Sequence, residues 1–188
     1  IYNYKHKNNY KYMIIYSTKF KDLKILKFKK KQDLRGNLIK VFDKKNKILK
    51  FNCYESYLSL SKKGSVRGLH GQSGKFSQSK IIYCVKGKIL DIAIDLRKNS
   101  KTYSQIFKKI ISPKNLSGIL IPKGFAHGVI VLEKNTILLN LSSSKYNPKK
   151  EFGINLKSLN IKLPKMKLIF SNKDRNLQNL NEFLKIKK

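Results

Sequence analysis

Between Leu38 and Ser158 the chain is a succession of short runs rich in Ile, Val, Leu and Tyr, cut by Gly, Pro and Asn. That punctuation constrains the fold more than any other feature. The runs are "LIKVFD" (38–43), "KIIYCVKGKILDIAIDL" (80–96), "YSQIFKKIIS" (103–112), "GILIPKG" (118–124), "GVIVLEKNTILLNLSS" (128–143) and "INLKS" (154–158). Several alternate apolar and polar residues at period two, the signature of a strand with one buried face. Within 80–96, "VKGK" divides one apolar run into two, as a hairpin turn does, and "LEKNT" (132–136) reads as a second turn. Proline marks the connections "SPKN" (112–115) and "YNPKK" (146–150). Helical periodicity appears only in "NLQNLNEFLKI" (176–186). Strands do not alternate with helices, and no repeat recurs at solenoid spacing. The expectation is an all-β barrel or double-sheet sandwich with a short C-terminal helical segment. Such a barrel has a mouth where inward side chains converge on a small ligand.

The length of 188 residues suits one domain with one sizeable core. The start, "IYNYKHKNNYKYMIIYSTKF", lacks the uninterrupted apolar segment of a signal peptide. Residues 1–12 are read as a disordered or non-native leader, and 13–188 as the single folded domain. No apolar run approaches the roughly 18–20 residues of a membrane span, so no membrane partner is expected. Cys53 and Cys84 both fall in apolar, strand-like surroundings and are read as reduced core residues of a cytoplasmic protein. The formal charge of +33 invites a nucleic-acid reading. The lysines are spread along the chain instead of clustering, and Arg is scarce, so the charge favours anionic ligands without assigning a nucleic-acid partner. Only four of the 43 basic residues are arginine: Arg35, Arg67, Arg97 and Arg175. Arginine alone offers a rigid fork that grips phosphate or carboxylate with two bonds.

Five polar residues lie in or beside the strand-like runs: His70, Lys80, Asp91, His127 and Asp174. A histidine exchanges a proton near neutral pH. An aspartate on its second nitrogen fixes the tautomer, and a lysine stabilises a developing oxyanion. Together these suit proton abstraction beside a carbonyl. Against this stands the ordinary case, in which a strand histidine is a satisfied polar residue. Arg97 and Asp95 in "DLRK" read as a structural ion pair at a strand end, and Tyr57 and Tyr83 as either pocket or core.

The stretches "DLRGNL" (33–38), "GSVRGLHGQ" (64–72), "KIIYCVKGKILDIAIDLRKNSKTY" (80–103), "LIPKGFAHGVIVL" (120–132), "YNPKKEFGI" (146–154) and "FSNKDR" (170–175) resemble, in order and spacing, the motifs of the dTDP-4-dehydrorhamnose 3,5-epimerase family. The resemblance runs from about Met13 to Arg175. It implies a cupin-type jelly roll that epimerises a nucleotide-linked 4-keto-6-deoxy sugar in surface-polysaccharide biosynthesis, a nucleotide-diphosphate sugar as substrate, a homodimer, and neither cofactor nor metal. It also implies roles. His70 is the base, oriented by Asp174. Lys80 polarises the ketone with help from His127. Arg35, Arg67 and Arg175 hold diphosphate and sugar. Asp91 stands near the lysine, and Gln72, Tyr146 and Glu151 belong to the binding wall.

The chain departs from the family pattern at one chemical position. The family's proton donor is a tyrosine seventy residues after the base, and here that position is Asn140. Asparagine does not deliver a proton as a phenol does. Water, another side chain such as Tyr146, or return on the original face would then complete the reaction. Lys40 and Gly71 also replace a glutamate and a bulky aromatic, which suggests a pocket shaped for a different sugar or nucleotide. The competing expectations are an epimerase inverting one centre, a 4-keto sugar isomerase, and a cupin that binds nucleotide sugar without turning it over.

Overall fold

The computed structural model describes residues 7–186. The first half of the expected leader, Ile1 to His6, lies outside the described residues, and Lys7–Asn9 forms β1. The strands that follow are β2 (Met13–Ser17), β3 (Lys24–Phe28), β4 (Lys30–Asp33), β5 (Gly36–Ile39), β6 (Glu55–Ser61) and β7 (Val66–Gln72). After them come β8 (Lys80–Lys86), β9 (Ile89–Asp95), β10 (Ile106–Ile111), β11 (Ser117–Ile121), β12 (Phe125–Val131), β13 (Thr136–Ser142) and β14 (Glu151–Gly153). Two short helices, α1 (Asn172–Arg175) and α2 (Leu180–Ile186), close the described chain.

Two antiparallel sheets face one another as a jelly roll. One has the order β1-β2-β3-β11-β8-β13-β6, the other β10-β9-β12-β7-β14. Between them lies an apolar core that includes Phe20, Ile82, Cys84, Ala93, Phe107, Ile119, Phe125 and Leu138. Both outer faces are covered as well. Leu49 and Phe51 pack over Ile81, Tyr83 and Leu141 of the first sheet. The C-terminal residues Leu156, Leu159 and Phe183 pack over Ile92, Ile94 and Ile130 of the second. Coverage on both faces explains why β8 and β9 read as nearly continuous apolar runs: alternate side chains enter different apolar layers.

The run 80–96 does split at "VKGK", but the two halves do not form a hairpin. β8 pairs with β11 and β13, whereas β9 pairs with β10 and β12, so the turn carries the chain from one sheet to the other. Gly87 makes the turn at φ +85°, and a Cβ there would sit 2.2 Å from the Thr136 hydroxyl oxygen. Two expected strands also move. "LIKVFD" is a strand only to Ile39, in an exposed hairpin with β4. "INLKS" is a tight turn whose Asn155 side chain accepts from the Lys157 amide at 2.9 Å, and the strand lies three residues earlier, in β14. Cys84 is buried, but Cys53 is exposed in the loop before β6, because the residues around it lie outside any sheet.

Candidate active site

A cavity of about 510 Å³ opens between the sheets, with the β-core residues Val129 and Leu138 at its base. Strand alternation aims its polar side chains. On β8, Lys80 shares the inward face with Ile82 and Cys84. On β13, Asn140 shares it with Leu138, and on β6 Tyr57 shares it with Ser59. His70 and His127 come from the opposite sheet, where they are register partners across β7 and β12. Between His127 and Val129 that pairing slips by a bulge, which re-aims side chains at the rim. The close approach there depends on Gly68, at φ +101°, where a Cβ would meet the His127 carbonyl oxygen at 2.5 Å.

His70 Nε2 lies 2.7 Å from Asp174 Oδ1. Asp174 sits on the one-turn helix α1, whose N-terminus is capped by Ser171: its hydroxyl accepts from the Asp174 amide at 3.0 Å. Asp174 Oδ2 also accepts from the Gly68 amide at 3.4 Å. Burial pushes the Asp174 carboxyl up, but the His70 hydrogen bond and charge, with the Gly68 amide, hold it below the ordinary carboxylate value. An ionised Asp174 keeps the proton of His70 on Nε2 and leaves the Nδ1 lone pair free to accept one. Glu151 Oε1 stands 3.6 Å from Nδ1, within ion-pair distance of a protonated ring.

The second histidine is held in the same manner. His127 Nε2 lies 2.9 Å from Asp91 Oδ2, with the carboxyl fully buried. Lys80 lies across the cavity with no carboxylate within ion-pair distance among the described residues. Burial lowers its pKa, opposed by the more distant charges of Glu151 and Glu55. A desolvated ammonium of lowered pKa is a strong hydrogen-bond donor to an oxyanion.

The structure therefore brings His70, Lys80, His127, Asp174, Asn140 and Arg67 to one cavity. Arg67 donates from Nε to the Ser61 hydroxyl at 2.9 Å and from Nη2 to the Leu60 carbonyl at 3.2 Å, which sets its guanidinium on the rim. Glu151 reaches the site through His70 and through an ion pair with Lys173. Asp91 sits beneath it, bonded to His127 and not to Lys80. The other expected residues stand elsewhere. Arg35 is paired with Asp33 on the exposed β4–β5 hairpin. Gln72 is buried as a loop clasp, accepting from the Asn147 amide and donating to the Phe76 and Lys145 carbonyls. Tyr146 is half exposed and donates to Glu151 Oε2 at 3.0 Å. Arg175 is exposed on α1, outside the cavity wall.

Neither Gly71 nor Lys40 shapes this cavity. A Cβ on Gly71 would meet the Phe152 ring at 2.3 Å, so the space an aromatic would need is filled by a neighbour in the outer layer. Lys40 lies over the Tyr12 ring, 4.0 Å from its centroid. Two further residues on the wall matter to the site: Lys173, which the sequence did not single out, and Tyr57, for which it offered pocket and core alike. Lys173 adjoins Asp174 in "SNKDR", a signal that was available. Tyr57 gave none beyond its period-two placement in "ESYLSLS".

Comparison with known proteins gives the arrangement a lineage. The family described as dTDP-4-dehydrorhamnose 3,5-epimerase matches residues 17–182. The Escherichia coli K12 dTDP-4-dehydrorhamnose 3,5-epimerase is 36% identical over 132 residues, 69% of this chain and 71% of that protein. The Bacillus anthracis enzyme of the same name, solved with TDP and PPi bound, superposes at a TM-score of 0.83 with 34% identity, covering 89% of this chain and 99% of that one. The Legionella pneumophila dTDP-6-deoxy-D-glucose-3,5-epimerase in complex with dTDP-4-keto-L-rhamnose also superposes at 0.83, with 32% identity and 94% of both chains covered. With a family match over most of its length and a jelly roll that superposes on solved members, the chain belongs to the dTDP-4-dehydrorhamnose 3,5-epimerase family.

Proposed function

We propose that this chain epimerises a nucleotide-linked 4-keto-6-deoxy sugar by removing a proton from a carbon beside the C4 ketone. The observation that carries the reading is the His70–Asp174 pair at 2.7 Å on the wall of a cavity that also presents Lys80 and His127. His70 takes the proton on Nδ1 while Asp174 fixes its other nitrogen. The electron pair moves onto the ketone oxygen, and Lys80, with His127 from the facing sheet, stabilises the enolate. Arg67 and Lys173 at the rim supply cationic donors for a diphosphate. The ligands named for the Bacillus and Legionella relatives support a dTDP-linked sugar as the substrate class.

The proposal extends to a homodimer in the cytoplasm serving polysaccharide synthesis. The edge strand β6 supports a partner there, because Leu58 and Leu60 on its outer face are 59% and 69% exposed. No described helix is long and apolar enough to cross a membrane.

The test is solvent deuterium exchange with a dTDP-4-keto-6-deoxy sugar in heavy water. Deuterium is expected at C3, C5 or both, and His70→Ala should slow its entry by about a hundredfold or more. Stabilisation of the fold by ligand without any exchange selects the non-catalytic binding reading instead.

A further inference from the structure

Inversion at carbon needs a base on one face and an acid on the other. His70 stands on β7, in the five-stranded sheet. The facing wall is made by β8, β13 and β6 of the seven-stranded sheet, and there Asn140 occupies the place where the resemblance calls for a phenol. Among the described residues its amide donates only to the Leu138 carbonyl, at 3.4 Å, and an amide N–H is far too weak an acid to give its proton to carbon.

The register across that wall supplies one. In the β6–β13 ladder, Tyr57 lies directly opposite Asn140. Directly opposed residues of an antiparallel pair put their side chains on the same face, with Cβ atoms about 4.5–5.5 Å apart. Both line the cavity, and Tyr57 is its one phenol among the described residues. No hydrogen bond among the described residues engages the Tyr57 hydroxyl. Tyr146, the other phenol near the site, is committed to Glu151 and lies off the cavity wall.

We infer that Tyr57 is the proton donor of the reaction, so that the acid has moved from β13 to the paired position on β6. The inference rests on the proposed epimerase reading. His70 Nδ1 accepts the proton as the C–H electron pair delocalises onto the ketone oxygen. The Tyr57 O–H bond then breaks, its proton joins the carbon from the opposite face, and the electron pair returns from oxygen. Solvent removes the proton from His70 and restores the Tyr57 phenol. Burial and the nearby Glu55 charge raise the phenol pKa, with Arg67 opposing, which keeps the group protonated between turnovers.

The experiment separates the two half-reactions in heavy water with a dTDP-4-keto-6-deoxy sugar. Tyr57→Phe removes one oxygen from a half-exposed ring. It should cut epimer formation by about a hundredfold or more, while His70 still washes deuterium into recovered substrate within about tenfold of the parent rate. Exchanging the pair, Tyr57→Asn with Asn140→Tyr, should raise epimer formation above the Tyr57→Phe level. The assignment is overturned if Tyr57→Phe forms epimer within about threefold of the parent, or loses exchange and epimerisation equally. It is overturned as well by a double variant that exchanges deuterium but forms no more epimer than Tyr57→Phe. A parent chain that takes up no deuterium overturns the epimerase reading itself.

Discussion

Asp91 and Asp95 stand four residues apart on the same strand, on the same inward face, and both are fully buried. Their surroundings differ completely. Asp95 accepts from the Arg97 amide at 3.1 Å, Arg97 Nε at 2.8 Å, Arg97 Nη2 at 2.7 Å, and the Ser100 and Thr102 hydroxyls at 2.6 Å each. Arg97 in turn lies over the Phe125 ring, 4.7 Å from its centroid. Among the described residues Asp91 has a single hydrogen-bond partner, His127, and its Oδ1 is buried with none. A buried carboxylate costs several kcal/mol unless its lone pairs are filled. At Asp95 the surroundings fill them, and the group clasps a loop to the barrel. At Asp91 they do not, and its one bond goes to His127 on the cavity wall.

Removing each carboxylate should therefore damage different properties. Asp95→Ala strips five hydrogen bonds and leaves the mostly buried Arg97 with only the more distant, exposed Asp22, 4.0 Å away, as counter-charge. We expect a loss of roughly 3–5 kcal/mol in urea unfolding, with the turnover of the remaining folded molecules unchanged. Asp91→Asn keeps the shape of the side chain and should cost about 1 kcal/mol or less, since the orphaned oxygen was unsatisfied already. Its effect should fall on turnover, by about a hundredfold, because His127 loses the group that fixes its ring. If Asp91→Asn is the more destabilising of the two, the contrast between clasp and site support fails.

The contrast was only half legible in the sequence. Asp95 and Arg97 are two residues apart at the end of a strand, so their pairing is local and "DLRK" displays it. The convergence of His70, Lys80 and His127 was legible because each falls in a motif of the family the chain resembles, "VRGLH", "KIIYC" and "KGFAHGV". The partner of Asp91 was not: its bond to His127 follows from the pairing of β9 with β12. For Tyr57 the sequence displayed pocket and core equally, for the same reason. Its position opposite Asn140 is a property of ladder register between strands far apart in the chain. Gly71 misled in the other direction, because the Phe152 ring that fills its space arrives only when β14 pairs with β7. The expected β8–β9 hairpin failed because a tight turn looks the same whether its strands pair or part into separate sheets. Local chemistry survives in a linear reading, but sheet membership and register do not.

Acid titration gives the finest separation of the two carboxylates. Burial pushes Asp95 up, but the bonds from Arg97, Ser100 and Thr102 more than offset it and bring the carboxyl down to about 2. In the unfolded chain the same group titrates near its ordinary value of about 3.9. Its folded pKa is the lower one, so the unfolded state binds more protons between the two values. The stability that Asp95 contributes is then fully present above about pH 4 and is lost as the pH falls toward 2. A shift of this size corresponds to about 2–3 kcal/mol, measured as the difference in unfolding free energy between pH 5 and pH 2. Asp95→Asn should flatten that part of the pH profile, whereas Asp91→Asn should leave it in place. An Asp95→Asn profile as steep as the parent's would mean that acid sensitivity resides in other carboxylates, and that the clasp around Asp95 is no tighter than the single bond at Asp91.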